Sequence, residues 1–171
     1  MKNPKVRLIG DPILRKLVDR VSKENFEKVK ELVPVMFKIM REQNGIGLAA
    51  NQIGEGSSTI VLSIDGLDEV YINPEISSAE DEIFFEEGCL SIPGVSAQTK
   101  RFSKVTVRYT SHLDQDLSTR HEQTVQGIKA IAIQHEMDHL SGKLYVDQLS
   151  QLKKAIVLKK HKKFLKQNER Q

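Results

Sequence analysis

The stretch IKAIAIQHEMDHLSG, residues 128–142, decides how this chain is built around its chemistry. Its apolar residues recur at helical spacing and a glycine stands at each end, so the sequence predicts one helix here. His135 and His139 lie four residues apart and therefore face the same side of that helix, where they can chelate one metal ion. Glu136, between them, can act as a base. Taken alone, such a histidine pair also occurs by chance on a helix surface or in a core.

Outside this helix the chain shows both helix-like and strand-like patterns. An amphipathic helix is predicted over about 25–42, with Pro34 expected to kink it or divide it into two abutting helices. Short runs rich in β-branched residues predict strands at 58–64, 70–73, 82–88, 104–110 and 119–125. A last helix is expected to start near Ser150, a plausible N-cap, and to run through the basic tail.

This order of elements predicts the fold class. Strands grouped in the middle with helices at both ends are typical of an α+β domain. We expect a single domain over residues 1–171, with small antiparallel or mixed sheets around a central HExxH helix. An N-terminal helix precedes the sheets, and a C-terminal basic helix over 150–171 follows them.

Cys89 is the only cysteine of the chain, so an internal disulfide is impossible. Its thiol could be a nucleophile paired with histidine, an inert buried group or a metal ligand. Two histidines at metal-binding spacing favour the metal-ligand role for Cys89. A nucleophilic cysteine needs only one histidine, and Glu136 would then have no function in the site. Three ligands leave a position open, as in a catalytic metal site. His112, His121 and His161 stand in polar or basic contexts, and we expect them to be solvated.

The glycine-rich segment GIGLAANQIG, residues 45–54, follows the predicted N-terminal helix. It superficially fits the GxGxxA fingerprint of dinucleotide-binding folds, but that fingerprint requires a preceding strand, so we reject nucleotide binding. Glycines also allow the backbone of a substrate to approach closely. Gln52, near the end of the segment, could donate an amide N–H to a developing oxyanion.

The composition is that of an ordinary globular chain, but its charge is unevenly distributed. The 171 residues are 39% hydrophobic, and no run approaches the roughly 20 apolar residues of a membrane span. The N-terminus lacks a signal-peptide pattern, so we expect a cytoplasmic protein. Residues 151–171 hold eight basic residues and one acidic residue, a net charge of +7. The other 150 residues hold 18 basic and 22 acidic residues, a net charge of −4. Such a tail is either a nucleic-acid contact or a solubilising helix end.

Three motifs together resemble the signature motifs of the peptide deformylase family, in the same order and spacing: GIGLAANQ (45–52), EGCLS (87–91) and QHEMDHLSG (134–142). The likeness continues in LIGDPILRK near the start, in YINPEI (71–76) and in GKLYVDQL (142–149). It implies a small cytoplasmic α+β enzyme that removes the formyl group from the N-terminal formylmethionine of new bacterial polypeptides. Some members dock at the ribosome through a C-terminal helix, so the ribosome is a candidate partner of the basic tail.

The resemblance also implies the metal centre and its chemistry. Cys89, His135 and His139 would be the ligands of a metal that is usually Fe²⁺, with zinc, nickel or cobalt possible in the same site. Such a metal would lower the pKa of its bound water from about 16 toward 7, and the resemblance implies that the resulting metal-bound hydroxide would attack the formyl carbon. Glu136 would take the proton and return it to the leaving amine.

Further residues take substrate-binding roles by the same resemblance. Gln52 and the backbone N–H of Leu90 would hold the formyl oxygen. The peptide backbone and the methionine side chain would contact Gly45, Ile46, Gly47, Phe85, Ile128, Ile131 and Ala132. The last three share a helix face with the metal-binding histidines, and plain core packing also explains them. Ala132 is smaller than the cysteine of some relatives, and Ser96 stands where many have an arginine.

Two interpretations from other classes compete with this one. The first is a different metal-dependent amide hydrolase, such as a small peptidase, but the third ligand of those HExxH enzymes is commonly a downstream His or Glu rather than Cys89. The second is an RNA- or ribosome-binding protein with a vestigial metal site, which the basic tail suggests. Intact Glu136 and Gln52 argue against it.

Overall fold

The computed structural model of the protein describes residues 4–168; residues 1–3 and 169–171, the two ends of the predicted domain, lie outside the described residues. The helices are α1 (Phe26–Glu42), α2 (Ile128–Leu140) and α3 (Gln151–Asn168). The strands are β1 (Gly47–Ala49), β2 (Thr59–Ile64), β3 (Leu67–Cys89), β4 (Ile92–Thr110) and β5 (His121–Gln126). Short 3₁₀ helices cover Pro12–Arg15, Ala50–Ile53 and Tyr145–Gln148.

The five strands form one antiparallel sheet in the order β1-β2-β3-β4-β5. The α+β class is confirmed, and the small sheets expected from the sequence are a single sheet. β3 and β4 are its longest pair and run together to a tight turn at Leu90 and Ser91, where Cys89 pairs with Ile92. This turn brings Cys89 to one end of a stiff ribbon.

β3 contains two of the predicted strands, 70–73 and 82–88, in one continuous strand. Residues 77–81, which lie between them, are exposed on both faces of the strand. A segment without a buried face shows no alternation of apolar and polar residues, so the sequence pattern did not reveal it. Register shifts between Ile72 and Ser78 interrupt the pairing with β4 nearby. β4 likewise begins well before the predicted strand at 104–110.

α1 runs unbroken through Pro34, so the expected division into two helices is wrong. A proline inside a helix costs about 3 kcal/mol, because it removes one hydrogen bond and its ring clashes with the carbonyl one turn back. Each large apolar side chain that becomes fully buried contributes about 1.5–3 kcal/mol, and α1 buries eight. Pro34 itself is exposed, which lets water reach the backbone carbonyl of Lys30 that it cannot pair with. Packing of the apolar stripe therefore outweighs the proline.

α2 is the central helix of the fold. It contacts β1, β2, β4 and β5, and every residue from Ala130 to Glu136 is buried. A helix enclosed on most sides has no solvated face for its polar residues. Its histidines, glutamate and glutamine must therefore find partners inside the protein.

α3 begins after Ser150, whose hydroxyl accepts a hydrogen bond from Lys153 N–H as the predicted N-cap. The apolar residues Leu149, Leu152 and Ile156 predict a stripe that packs on the body, with only residues 159–166 free. Leu149 does pack against the core, but Leu152 and Ile156 are 72% and 46% exposed. The helix packs on β4 through Val157 and His161 instead. His161 is therefore buried rather than solvated. Of the described helices, none combines the length and apolar character needed to cross a bilayer.

Candidate metal centre and active site

The three residues predicted as metal ligands meet at the end of the β3–β4 ribbon. Cys89 is the last residue of β3, and His135 and His139 approach it from successive turns of α2. One potential ligand atom of each residue lies within 4.8 Å of the other two. Cys89 Sγ is 3.2 Å from His139 Nε2. Both histidines are buried and the cysteine is partly buried, so the cluster is shielded on the helix side.

This donor set fits a divalent transition metal. One thiolate and two imidazoles are ligands of iron, zinc, nickel or cobalt, whereas magnesium and calcium prefer oxygen. Three protein ligands leave room for water or substrate. Oε2 of Glu136 is buried next to the cluster and has no hydrogen-bond partner among residues 4–168. An acceptor of this kind fits a site that receives a polar group from outside the chain.

Glu87 orients one of the histidines. His135 Nδ1 donates a hydrogen bond to Glu87 Oε2 at 2.7 Å, so its Nε2 is the nitrogen left for a metal. Burial works to raise the pKa of Glu87, but the hydrogen bond and charge of His135 and the charge of Arg101 outweigh it and leave that pKa below its usual value. Glu87 therefore stays ionised and holds the proton of His135 on Nδ1.

Arg101 is a buried cation that no sequence pattern singled out. It donates to both carboxylate oxygens of Glu87, at 3.0 and 3.2 Å, and to Asp138 Oδ2 at 2.6 Å. Thr99 adds a hydroxyl hydrogen bond to Glu87. The side chains of Arg101 and Glu87 are only 4% and 5% exposed, so each compensates the buried charge of the other. This network connects β3, β4 and α2 behind His135.

Glu136 faces the glycine-rich segment. Its burial raises the pKa of the carboxyl group to about 7, although the charge of His135 works in the opposite direction. A carboxyl group with this pKa can both accept and return a proton near neutral pH. A Cβ atom at Gly47 would lie 2.6 Å from Glu136 Oε1. Any larger residue at position 47 would therefore overlap with the Glu136 carboxylate in its present position.

Gln52 is held with its amide N–H directed toward the cluster. Its Oε1 accepts a hydrogen bond from Ala49 N–H at 2.8 Å, and its Nε2 donates to Ser91 Oγ at 3.2 Å. The same Nε2 lies 3.7 Å from Cys89 Sγ. The side chain is fully buried in the 3₁₀ helix that follows β1. Ser91, which the sequence did not single out, is thus a partner that orients Gln52.

One cavity of about 470 Å³ opens beside the cluster. The predicted site residues that line it are Gly45, Ile46, Gly47, Gln52, Phe85, Cys89, Leu90, Ile128, Ile131, Ala132, His135 and Glu136. His139 lies behind it. The structure thus brings the whole predicted set together, with an apolar wall next to the polar cluster. Residues 92–95 form a further wall of the cavity, and no sequence pattern predicted this role for them.

Other residues considered in the sequence lie outside this centre. His121 is 40% exposed and pairs with Asp114, and His112 is partly exposed. Ser96 donates a hydrogen bond to the exposed Glu86 at 2.5 Å, so this position offers the cavity no positive charge. Ala132 lines the cavity and leaves more room there than a larger side chain would.

Comparisons with known proteins agree with one another. A family model described as polypeptide deformylase matches residues 4–155. The chain is 40% identical over 160 residues to a peptide deformylase of Aquifex aeolicus, which covers 90% of this chain and 92% of that one. It is 41% identical over 165 residues to a peptide deformylase of Mesorhizobium japonicum, with coverage of 93% and 91%.

Solved structures give the same result. The crystal structure of a peptide deformylase from Legionella pneumophila is similar with a TM-score of 0.91 and 38% identity over 98% of both chains. The structure of a peptide deformylase from Synechococcus elongatus in complex with actinonin is similar with a TM-score of 0.84 and 34% identity. That comparison covers 94% of this chain and 88% of the other.

Proposed function

This chain belongs to the polypeptide deformylase family, and from that premise we propose that Cys89, His135 and His139 hold its catalytic metal and that Glu136 moves the proton during hydrolysis. Members of the family are metal-dependent hydrolases of protein biosynthesis that remove the formyl group from nascent polypeptides. The chain is an enzyme of this kind. The roles of individual residues, the identity of the metal and a cytoplasmic location are the parts that we propose.

The observation that supports these roles is the shared cavity. A thiol, an imidazole, an unpartnered carboxylate oxygen and an oriented amide line one largely apolar pocket, and a second imidazole, that of His139, lies behind it. A formylated methionine needs this combination, because its side chain is apolar and its formyl carbon must meet an activated water and an oxyanion stabiliser. Such pockets with a few converging polar groups are typical of small-molecule and peptide sites.

The ligands would bind Fe²⁺, and zinc, nickel or cobalt could take the same place. When bound, the metal supplies Lewis acidity, which activates water and polarises the formyl carbonyl. Glu87 keeps His135 Nε2 available as a ligand, and Arg101 keeps Glu87 ionised. These two residues therefore tune the centre through His135.

Glu136 accepts the proton of the attacking water and returns it to the leaving amine. Its pKa of about 7 suits both transfers. The Gln52 amide and the Leu90 N–H donate hydrogen bonds to the oxyanion that forms from the formyl oxygen. Losing one donor of this kind commonly costs about 3 kcal/mol of transition-state stabilisation. Because the Gln52 amide is already held by Ala49 and Ser91, little reorganisation is required.

The peptide would lie along the glycine-rich segment. β1 is an edge strand of the sheet, so its outer side offers backbone groups to an extended chain. Ile46 is 45% exposed and Ile128 is 41% exposed, although both are apolar. Together with Phe85, Ile131 and Ala132 they would bury the methionine side chain.

Hydrolysis of formyl-Met-Ala tests this proposal, with release of a free amine as the measurement. Wild-type enzyme should release the amine from the formylated peptide and leave internal peptide bonds intact. Glu136→Gln should keep its metal, because the ligands remain, and lose nearly all activity, because the proton carrier is gone. Turnover of Glu136→Gln comparable to wild type would refute the role of Glu136. Cleavage of internal bonds would instead support the small-peptidase interpretation.

A second proposal concerns the exposed face of α3. Leu152 and Ile156 point outward, and Lys159, Lys160 and Lys163 are exposed on the same side. A cationic and partly apolar face on a body of net charge −4 suits a polyanion such as ribosomal RNA. Replacing the three lysines by alanine should weaken co-sedimentation with ribosomes at low salt, with little difference at high salt. Equal co-sedimentation of the variant and wild type would show that the face is only a solvated helix surface.

A further inference from the structure

β4 bulges away from β3 close to Cys89, and this bulge is a wall of the cavity. Cys89 pairs with Ile92, but the next pair along the ribbon is Gly88 with Ser96. Within the described sheet, Pro93–Val95 therefore have no partners on β3, although all three line the cavity. A bulge of this kind lacks ladder hydrogen bonds, so other contacts must fix its shape.

Those contacts come from α3. His161 donates a hydrogen bond from Nδ1 to the carbonyl oxygen of Pro93 at 2.9 Å, and its side chain is buried. Phe164, one turn later, packs so closely on the next residue that a Cβ atom at Gly94 would lie 2.2 Å from the ring. Gly94 also has a φ of +80°, which glycine adopts without strain. Two consecutive residues of the bulge thus rest on two consecutive turns of the helix.

Apolar packing continues this contact along α3. Val157 is buried in one cluster with Ile92, and Val95 packs against the same cluster. Val157 and His161 are the buried residues of the described part of α3, and both face β4 beside the bulge. The rest of the helix is largely exposed. The buried face of α3 therefore supports this wall, in addition to packing on the 3₁₀ helix Tyr145–Gln148.

We infer that α3 shapes the substrate cavity, and that His161 and Phe164 are positioning residues that hold the Pro93–Val95 bulge against the bound peptide. The inference rests on the proposed function, because it assigns the cavity to a formylated peptide. Cys89 and the two histidines stand on β3 and α2, so a loosened bulge leaves the metal centre assembled. Loss of the α3 contacts should therefore weaken peptide binding much more than it slows the chemical step.

The position of the bulge predicts which peptides are affected. Gly94 is exposed, whereas Ile131 and His135 on the inner side of the cavity are buried. The bulge therefore lies toward the mouth, where residues that follow the formylated methionine pass. Longer peptides should depend on α3 more than a dipeptide does.

Steady-state kinetics of matched variants test the inference. His161→Leu removes the donor, and His161→Asn restores one near the position of Nδ1. Phe164→Ala removes the ring, and Phe164→Leu restores part of its volume. For a formylated tetrapeptide, the KM of the first variant of each pair should rise roughly fivefold, the size expected for one lost hydrogen bond or contact. Its kcat should stay within about twofold of wild type, and the second variant should recover most of the loss. The exposed Gln167→Ala on the same helix serves as the control.

Amide hydrogen exchange of the segment 92–98 gives a readout that does not depend on catalysis. Exchange should accelerate in His161→Leu and Phe164→Ala and should match wild type in Gln167→Ala. If wild-type enzyme fails to hydrolyse formylated peptides, the proposed function fails while exchange still decides whether α3 holds the bulge. If exchange and both KM values are unchanged in His161→Leu and Phe164→Ala, the inference is wrong. A fall in kcat with an unchanged KM would also overturn it.

Discussion

Gly47 shows how a single residue can set the geometry of the active site. Its missing side chain leaves the space that the Glu136 carboxylate occupies, and on the other side Leu62 would lie 2.9 Å from a Cβ atom at this position. A methyl group there must displace one of these neighbours. Since Leu62 is buried in the sheet, the carboxylate is the group that moves. The conformation of Glu136 is thus decided by a residue in a distant part of the sequence.

Gly47→Ala should lower kcat about 100-fold, because misplacing a catalytic group by about 1 Å commonly costs that much. Metal content should remain at the wild-type level, since the proposed ligands Cys89, His135 and His139 are unchanged. The measurement is amine release from formyl-Met-Ala beside metal analysis of the same sample. Gly56→Ala is the matched control, because a Cβ there meets nothing within 4 Å. Activity of Gly47→Ala within twofold of wild type would show that Glu136 tolerates displacement.

Arg101→Met should weaken metal binding and destabilise the fold. The variant leaves the buried Glu87 and the half-buried Asp138 without their cation, and breaking a buried pair such as Arg101–Glu87 costs about 3–5 kcal/mol of unfolding free energy. Metal affinity should fall about tenfold or more, because the orientation of His135 depends on Glu87. Chemical denaturation and competition with a chelator measure the two effects. Unchanged metal affinity in a folded variant would show that His135 needs no such support.

At the scale of elements, Asp147 ties three segments together. It stands in the 3₁₀ helix Tyr145–Gln148 and accepts hydrogen bonds from Arg15 near the N-terminus and from Lys154 of α3. It also accepts one from the backbone N–H of Leu144 at 2.9 Å. Partial burial opposes ionisation of Asp147, but these donors outweigh it and hold its pKa well below the usual value. The helix that supports the cavity wall is thus anchored at its start by an ion-pair network.

Asp147→Asn should lower the unfolding free energy by about 1–2 kcal/mol at pH 7, as expected for hydrogen bonds to a charged group. A carboxyl group whose pKa is lower in the folded than in the unfolded protein contributes its whole stabilisation when the pH is above the pKa of the unfolded state. That stability is lost as the pH falls below about 4 toward the folded value. The difference between variant and wild type should therefore shrink in acid, as measured by denaturant unfolding from pH 7 to pH 2. Glu31→Gln, an exposed change on α1, is the control, and a difference that stays constant down to pH 2 would contradict this account.

At the scale of the whole molecule, the open cavity exposes the thiol-containing candidate metal centre to solvent. Cys89 is only partly buried and lines an open cavity, so oxygen could reach its thiolate and a ferrous ion if iron is the metal held there. A ferrous thiolate site is open to oxidation of the metal and of the sulfur. The same openness is required for a peptide to enter. Reactivity toward oxygen is therefore a consequence of the architecture that makes the enzyme accessible.

The iron-loaded enzyme should lose activity in air faster than the nickel-loaded enzyme, whereas both should persist without oxygen. Half-lives of activity under air and under nitrogen measure this. Mass spectrometry of the peptide that contains Cys89 shows whether the thiol is oxidised. Equal half-lives of the iron and nickel forms in air would show that the protein shields its centre.

The sequence by itself determined the class of the fold and the residues of the candidate site. His135, Glu136 and His139 were predictable because the pitch of a helix is local and places residues four apart on one face. Cys89 was singled out because it is the only cysteine, and Gln52 because its motif joined two others in order. The structure groups all of them around one cavity, and their individual roles stay predictions.

Only the tertiary structure decided what supports that site. Arg101 and Asp138 are 37 positions apart, and their pairing depends on β4 and α2 packing together. Packing against β4 likewise determines which face of α3 is buried. His161 and Phe164 therefore point inward, whereas Leu152 is exposed to solvent. Local patterns describe what a segment can form, but the partner of a buried charge or of a helix face depends on contacts between distant segments.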